Sequence, residues 1–596
     1  MPTRSLFIGR WTVCLFLFLA FLSPPARAKA PELPQELLPR ETLEKIYKAE
    51  LPHYNPADFD KLYAAHVYLE KYFLTDSAED RQAITRILDK SGIPPATLGR
   101  MCRIHLAWPA LPPGPAYVNE RIGPHDVQYF LGVPANYDRA KAWPLVIRLP
   151  AANAIITDIK NPPKPDDVVR LYTQWVTDEL KAHPDAVVVM PLLNLDELYG
   201  PSYKGMDSVI EAMHHVTTRV NIDPSRVYML GHGMAGHATW NLALHFPTYF
   251  AAINPLAGAA SADWQRLRLL NLKNILCVVW ADTTDKIINS NQSGAIVGIL
   301  RNMKYDVDFD LTRNVGHTPT PEIAEKCYQT MRARKRALYP QQVNLRSNRP
   351  DTTFNRVDWV QVYQPLSAGK EKSYILRRGT GKLTVNENAH SIQAALTTPN
   401  KIEARTENVQ TLRLYLNDQM VDLAKPVTVI INNKTRFEGM VTPSLDEMLK
   451  DQIFLGRGWR YFTAVLDIDL SPRASTTQTT RPTSLPAVTA THVFFTTDEG
   501  KTLFPIEATT RAPFVRDNKL AVRAHVYSCD GGKTTFVAYL SKFSPVAQEP
   551  LVKRPGMTQW FPLDTPGAAI ILQVKCPEGV VGKSPVEIFP KEGAKE

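Results

Sequence analysis

Between Pro109 and Lys335 continuous apolar runs alternate with amphipathic stretches, and this alternation constrains the chain more than any other feature. The runs are Val127–Val133, Leu145–Leu149, Ala186–Met190, Val227–Leu230, Ala251–Asn254, Ile275–Trp280 and Val307–Leu311. Apolar residues at consecutive positions suit strands covered on both faces. The stretches between them, such as Met206–Val220, Gly236–Phe246 and Ser293–Met303, suit crossover helices. Parallel strands joined by helices follow, an α/β sandwich.

At 596 residues the chain exceeds what one hydrophobic core supports, so further units are expected on either side. Residues 29–110 read as a Pro-rich leader and a helical region, with Leu62, His66, Leu69 and Phe73 at three-and-four spacing and a break at Gly92-Ile93-Pro94-Pro95. The α/β unit is set at 111–340. From 341 to 470 the texture becomes alternating and Thr/Val-rich, with strands at Thr411–Leu416, Val427–Ile431, Thr435–Gly439 and Arg460–Leu470, and Asn432-Asn433 as a two-residue hairpin turn. This predicts an antiparallel β module. A Ser/Thr/Pro-rich linker occupies 471–486 and a second β module 487–596. Asp498 and Glu499 read as turn residues there.

Residues 1–28 carry Arg4 and Arg10, an apolar stretch from Trp11 to Leu22, and Ala26-Arg27-Ala28. That is the composition of a secretory signal cleaved after Ala28, which predicts a secreted or periplasmic protein. Its removal takes away Arg4, Arg10 and Arg27 and no acid, lowering the formal charge of +10 by three. The remaining basic excess lacks any dense Lys/Arg run, so no nucleic-acid partner is expected, and cell-envelope association is compatible with it. Cys102, Cys277, Cys327, Cys529 and Cys576 remain, without the tight spacing of a zinc site, so neither metal nor cofactor is expected. Cys277 reads as a small core residue in an apolar strand. Cys529 and Cys576, beside turn signals in the last module, are expected to form a disulfide.

Function is carried by Arg226 to Trp240. An apolar strand ends at Gly231, a sharp turn follows, and a helix begins near Ala235. Gly231, His232, Gly233, Met234 and Ala235 stand where the strand–turn–helix of serine hydrolases has G-x-S-x-G, whose tight turn pushes a hydroxyl out above the sheet. The segment resembles the elbow of the α/β-hydrolase superfamily, especially secreted dienelactone-hydrolase, feruloyl-esterase and prolyl-oligopeptidase-like members, over about residues 117–340. The resemblance implies an α/β-hydrolase sandwich with an N-terminal helical region and C-terminal antiparallel β modules.

It also implies a nucleophile, an acid and a base in that chain order. Gly233 holds the nucleophile's place. Asp285, after Ile275–Trp280, takes the acid's place, with Asp282 as the competing residue, and His317 takes the base's. The oxyanion donors implied are the backbone N–H groups of Met234 and of Ala151, but the turn Leu149-Pro150-Ala151-Ala152-Asn153 lacks the glycines of the family's loop. A nucleophile displaced to Ser261 has no elbow to activate it, and an Asp–His pair acting on water is a weak general-base site. The expectation is a degenerate esterase or peptidase relative that binds a small molecule, glycan or peptide. The alternatives are a hydrolase with no serine or a displaced nucleophile, and an interaction protein acting through its β modules.

Overall fold

The computed structural model describes residues 37–471 except for short stretches, chiefly 151–164, 193–203, 350–353 and 367–371, and after them only separate strands within 492–588. The expected signal segment, Ala151, Ser261, Asp498, Glu499, Cys529 and nearly all of the 471–486 linker lie outside the described residues, and so does the side chain of Cys576.

Eight strands form the central sheet: β1 (Gly114–Ile122), β2 (His125–Val133), β3 (Trp143–Arg148), β4 (Val187–Pro191), β5 (Ile222–His232), β6 (Ala252–Leu256), β7 (Leu276–Asp282) and β8 (Val307–Thr312). Their order is β1-β2-β4-β3-β5-β6-β7-β8, parallel from β4 to β8 and with β2 antiparallel to both of its neighbours. The uninterrupted apolar runs follow from this arrangement, because successive side chains alternate between two buried faces. Leu145 and Ile147, Val227 and Met229, and Cys277 and Val279 enter one core. Val146, Tyr228, Val278 and Trp280 enter the other.

Helices close both faces. Pro165–Ala182 and Pro321–Arg332 cover one, and Lys204–Arg219, Met234–His245 and Ser290–Asn302 the other. Strand β1 is not among the runs read from the sequence. It pairs only with β2, and Tyr117 on it is 40% exposed, so it lacks the doubly buried pattern of its neighbours.

Among the described residues four α-helices precede the sheet: Arg40–Glu50, Phe59–Leu74, Ala78–Lys90 and Pro95–Met101. They do not close a core alone. Leu43, Tyr47, Leu69, Leu88 and Leu98 pack with Leu445, Met448, Leu449 and Tyr461 from far along the chain. The second contributors lie on and just after a helix at Leu445–Leu455, inside the stretch expected to be β module. Ser444 caps it by accepting a hydrogen bond from Glu447 N–H. Arg457 fastens the same junction, donating from Nη1 and Nη2 to Glu70 at 2.6 and 2.7 Å, while Leu106 N–H donates to Glu70 at 2.7 Å. Glu70 is 5% exposed. Burial works against its ionised form, but the adjoining guanidinium outweighs this and holds the carboxyl down at about 2.

Beyond the sandwich, Gln342–Ser347, His390–Thr398, Lys401–Glu407, Val427–Ile431 and Lys434–Gly439 build a five-stranded sheet. Arg356–Val357, Val360–Pro365, Val409–Leu416 and Ala464–Asp469 build a four-stranded one. Asn432 and Asn433 turn the hairpin with φ of 52° and 62°, the left-handed pair that a two-residue turn requires. Two pairings depart from the antiparallel expectation: Lys401–Glu407 runs parallel to Val427–Ile431, and Arg511–Ala512 runs parallel to Gly579–Ile588. A buried ion pair and a buried hydrogen bond tie this part to the sandwich, with Arg336 Nη2 donating to both oxygens of Asp358 at 2.8 Å and Arg460 Nη2 donating to the Thr248 carbonyl at 2.7 Å. Strands between His492 and Ile588 form a further four-stranded and five-stranded sheet.

Candidate active site

The site begins where β5 stops. Gly231 has no room for a side chain, since a Cβ there would meet the backbone of Ala235, and Gly236 has little, since its Cβ would lie 2.7 Å from Leu256 O. These two glycines let the helix Met234–His245 seat directly against β6. Between them the chain reverses at Gly233, whose φ of 61° and ψ of −118° are costly for any residue with a Cβ. Gly233 N–H donates to Leu256 O at 2.9 Å, and His237 N–H donates to Gly233 O at 3.1 Å as the first helical bond. Met234 follows with its side chain 45% exposed, and its N–H is among the first-turn amides that no helical carbonyl reaches.

The loops after β7 and β8 bring the other residues in. His317 Nδ1 lies 2.9 Å from Asp285 Oδ2, whose side chain is 1% exposed. Asp285 Oδ1 accepts from Ile287 N–H at 2.7 Å and Ile288 N–H at 3.0 Å, so both carboxylate oxygens are used. Burial disfavours its charge, but the hydrogen bonds from His317 and the two amides prevail and hold its carboxyl below the usual range. With Nδ1–H donated to Asp285, the imidazole presents Nε2 as an acceptor. That nitrogen faces the elbow, where a Cβ built on Gly233 would lie 2.9 Å from it.

Of the two aspartates that compete in the sequence, the geometry therefore joins Asp285 to His317. Asp282, at the end of β7, is occupied otherwise. Its Oδ1 accepts from Thr284 N–H at 2.8 Å and Thr284 Oγ1 at 2.5 Å, and its Oδ2 from Thr312 Oγ1 at 2.8 Å and Val315 N–H at 3.1 Å. Burial raises its proton affinity, yet these bonds more than compensate and depress its carboxyl strongly. It is a knot between the two loops that deliver the Asp–His pair.

Three further residues border the pair. His232 Nε2 donates to His317 O at 2.8 Å, and the two rings are 4.7 Å apart. Burial lowers the His232 pKa, in keeping with this neutral donor tautomer. His237, one turn into the helix, is half-buried and bonds Ala259 O through Nδ1. Arg148, closing β3, donates from Nε to Glu179 at 2.7 Å, while its buried Nη1 has no partner among the described residues. Neither His237 nor Arg148 stands out in the sequence. A histidine early in a helix and an arginine ending a strand are ordinary there, and only the fold sets them beside His317 and His232. Cys277 lies in β7 at 1% exposure and burial pushes its thiol up, so it is a core residue. Among the described residues no group of His, Cys, Asp and Glu has the form of a metal site.

The strand order, the reversal after β5 and the Asp–His pair after β7 and β8 coincide. In fold, residues 114–332 are a mostly parallel α/β sandwich with this constellation beyond the ends of β5, β7 and β8. No protein-family model matches the sequence, and no curated protein is significantly similar to it. Solved structures similar to part of the chain include a thermostable esterase at 20% identity, covering 37% of this chain and 63% of that one, with a TM-score of 0.30. Another is a ferulic acid esterase from Anaeromyces mucronatus at 12% identity, covering 37% and 88%, TM-score 0.27. A third is a fluorophosphonate-binding serine hydrolase from Staphylococcus aureus at 13% identity, covering 37% and 97%, TM-score 0.28. The chain thus spans about three-fifths of the thermostable esterase's length.

Proposed function

We propose that this chain is an exported, degenerate relative of serine esterases and peptidases that binds a small molecule, glycan or peptide at the cell envelope and does not cleave it. The observation that carries this reading is the glycine at the elbow. Gly233 has the backbone angles of a strained nucleophile and stands against His317 Nε2, yet offers no hydroxyl for that nitrogen to deprotonate. The oxyanion side adds support, because Pro150 has no N–H to give. Among described residues the one cysteine in the sheet itself, Cys277, is buried in its strand.

The intact Asp285–His317 pair favours one second reading, a hydrolase in which His317 activates water with no acyl-enzyme. Hydrolysis of p-nitrophenyl acetate and butyrate by the wild type and by His317→Ala separates the two. The binding reading expects no fluorophosphonate labelling and identical background rates for both proteins. Ester turnover that disappears in His317→Ala would replace it with the water-activating hydrolase.

A further inference from the structure

A cavity of about 400 Å³ lies away from the elbow, where the N-terminal helix Arg40–Glu50, the sandwich and the segment after helix Leu445–Leu455 meet. Its walls come from all three parts, and a junction between structural units is a common place for a ligand. Apolar surface comes from Ile46 and Ile222 and from Trp108 and Trp459, with the His105 ring stacked 3.7 Å from that of Trp108. Burial keeps His105 neutral, and the indole N–H of Trp459 has no hydrogen-bond partner among the described residues.

Charge at this cavity is unbalanced. Arg457 is matched by Glu70 outside it. Arg139 is engaged as well, its Nη1 donating to Trp108 O at 3.1 Å, which leaves three cations, Lys45, Arg103 and Lys141, against two carboxylates, Glu50 and Asp138. The pairings that exist are loose. Arg103 is 3.9 Å from Glu50, Lys141 is 3.6 Å from Asp138, and Lys45 makes no ion pair among the described residues. Pairs as exposed as these contribute little, so they oppose an incoming anion only weakly.

An aromatic-sized apolar hollow ringed by excess positive charge suits one ligand class. We infer that this junction cavity binds a small amphipathic anion, with an aromatic or alicyclic body against Trp108 and Ile46 and a carboxylate or sulfonate among Lys45, Arg103 and Lys141. The site is separate from the elbow and does not depend on whether the elbow is catalytic. Its volume sits at the lower end of the ~300–1,000 Å³ typical of small-molecule pockets, which sets the size of the ligand.

The test is a fluorescence titration of the full chain with 8-anilinonaphthalene-1-sulfonate, beside its uncharged analogue N-phenyl-1-naphthylamine. The expected result is saturable binding of one equivalent, with Kd raised at least ~10-fold in the double variant Lys45→Glu/Lys141→Glu and unchanged in His317→Ala. Both lysines are exposed, so thermal unfolding of the double variant should match the wild type. Should that variant fail to fold, Ala49→Trp, which adds bulk at the cavity without changing charge, must abolish binding instead. An unchanged Kd in a folded double variant, equal affinity for the uncharged analogue, or loss of binding in His317→Ala would each overturn the assignment.

Discussion

The turn after β5 and the loops after β7 and β8 meet at one point, Gly233 against His317, but they are held by different means. The turn is fixed by main chain: a reversed φ, a hydrogen bond to Leu256 O, and glycines at 231 and 236 that admit a close approach. The loops are fixed by side chains, with two carboxylates accepting seven bonds between them. The His317 ring is oriented by Asp285, while from the elbow His232 Nε2 holds the His317 carbonyl, and neither bond needs a side chain at position 233. A missing hydroxyl therefore leaves both halves structurally complete, and here geometry and chemistry are separable properties.

The largest expected effect tests that separation directly. Gly233→Ser places a hydroxyl beside Nε2 and should raise fluorophosphonate labelling at least ~10³-fold over the wild type, since nucleophile and base act as a unit. Ester turnover should nevertheless stay ~10²–10³ below the ~10 s⁻¹ typical of enzymes, the cost of one absent oxyanion donor. The imidazole must also retreat, because a Cβ at 233 comes within 2.9 Å of it. Turnover near ~10 s⁻¹ would show a complete oxyanion site and break the comparison on its chemical side.

Next in size is the side-chain half. Asp282→Ala strands four donors, two of them on Thr284, and should cost ~2–4 kcal/mol in urea unfolding, whereas His317→Ala, which takes one of three donors from Asp285, should cost ~1–2 kcal/mol. The same residue sets a pH signature. The carboxyls of Asp282 and Asp285 are both depressed in the fold, so their contribution is complete above the unfolded carboxylate value of ~3.9 and is lost as pH falls through the folded ones. Wild type should thus lose stability more steeply than Asp282→Ala below about pH 4. Parallel curves would mean that the loops are held by something else.

The smallest effect belongs to the main-chain half. Gly233→Ala forces a Cβ into a left-handed turn and should cost ~1–3 kcal/mol, read as a lower denaturant midpoint with an unchanged slope. A neutral result would show that the turn relaxes, and that the elbow is softer than the loops facing it.

How far the sequence foretold this depends on how each element is covered. Strands β2 to β7 were legible because the sheet buries both of their faces, leaving apolar runs such as Val227–Leu230, whereas the edge strand β8 showed itself by alternation, with Val307, Phe309 and Leu311 separated by aspartates. Strand β1 was not, because Asn119, Glu120 and Arg121 give it the polarity of a loop. The helix Leu445–Leu455 was missed despite a readable start, Ser444 followed three residues later by Glu447, since Thr/Val-rich strands on both sides dominated the pattern. At the site, chain order led to Asp285 and His317. Only geometry separates Asp285 from Asp282, because both follow the same strand three residues apart and differ in which way the loop aims them.

The bridge between Glu70 and Arg457 has a consequence in time. The two residues are 387 positions apart, which at ~5–20 residues per second is roughly 20–80 s of synthesis. Throughout that interval a buried Glu70 would be an unmatched charge, at a cost of several kcal/mol. Leu43, Tyr47 and Leu88 would likewise wait for the helix at 445–455. Helices made early are thus settled late. Their greasy faces stay open to the surroundings until the segment at 445–461 returns to cover them.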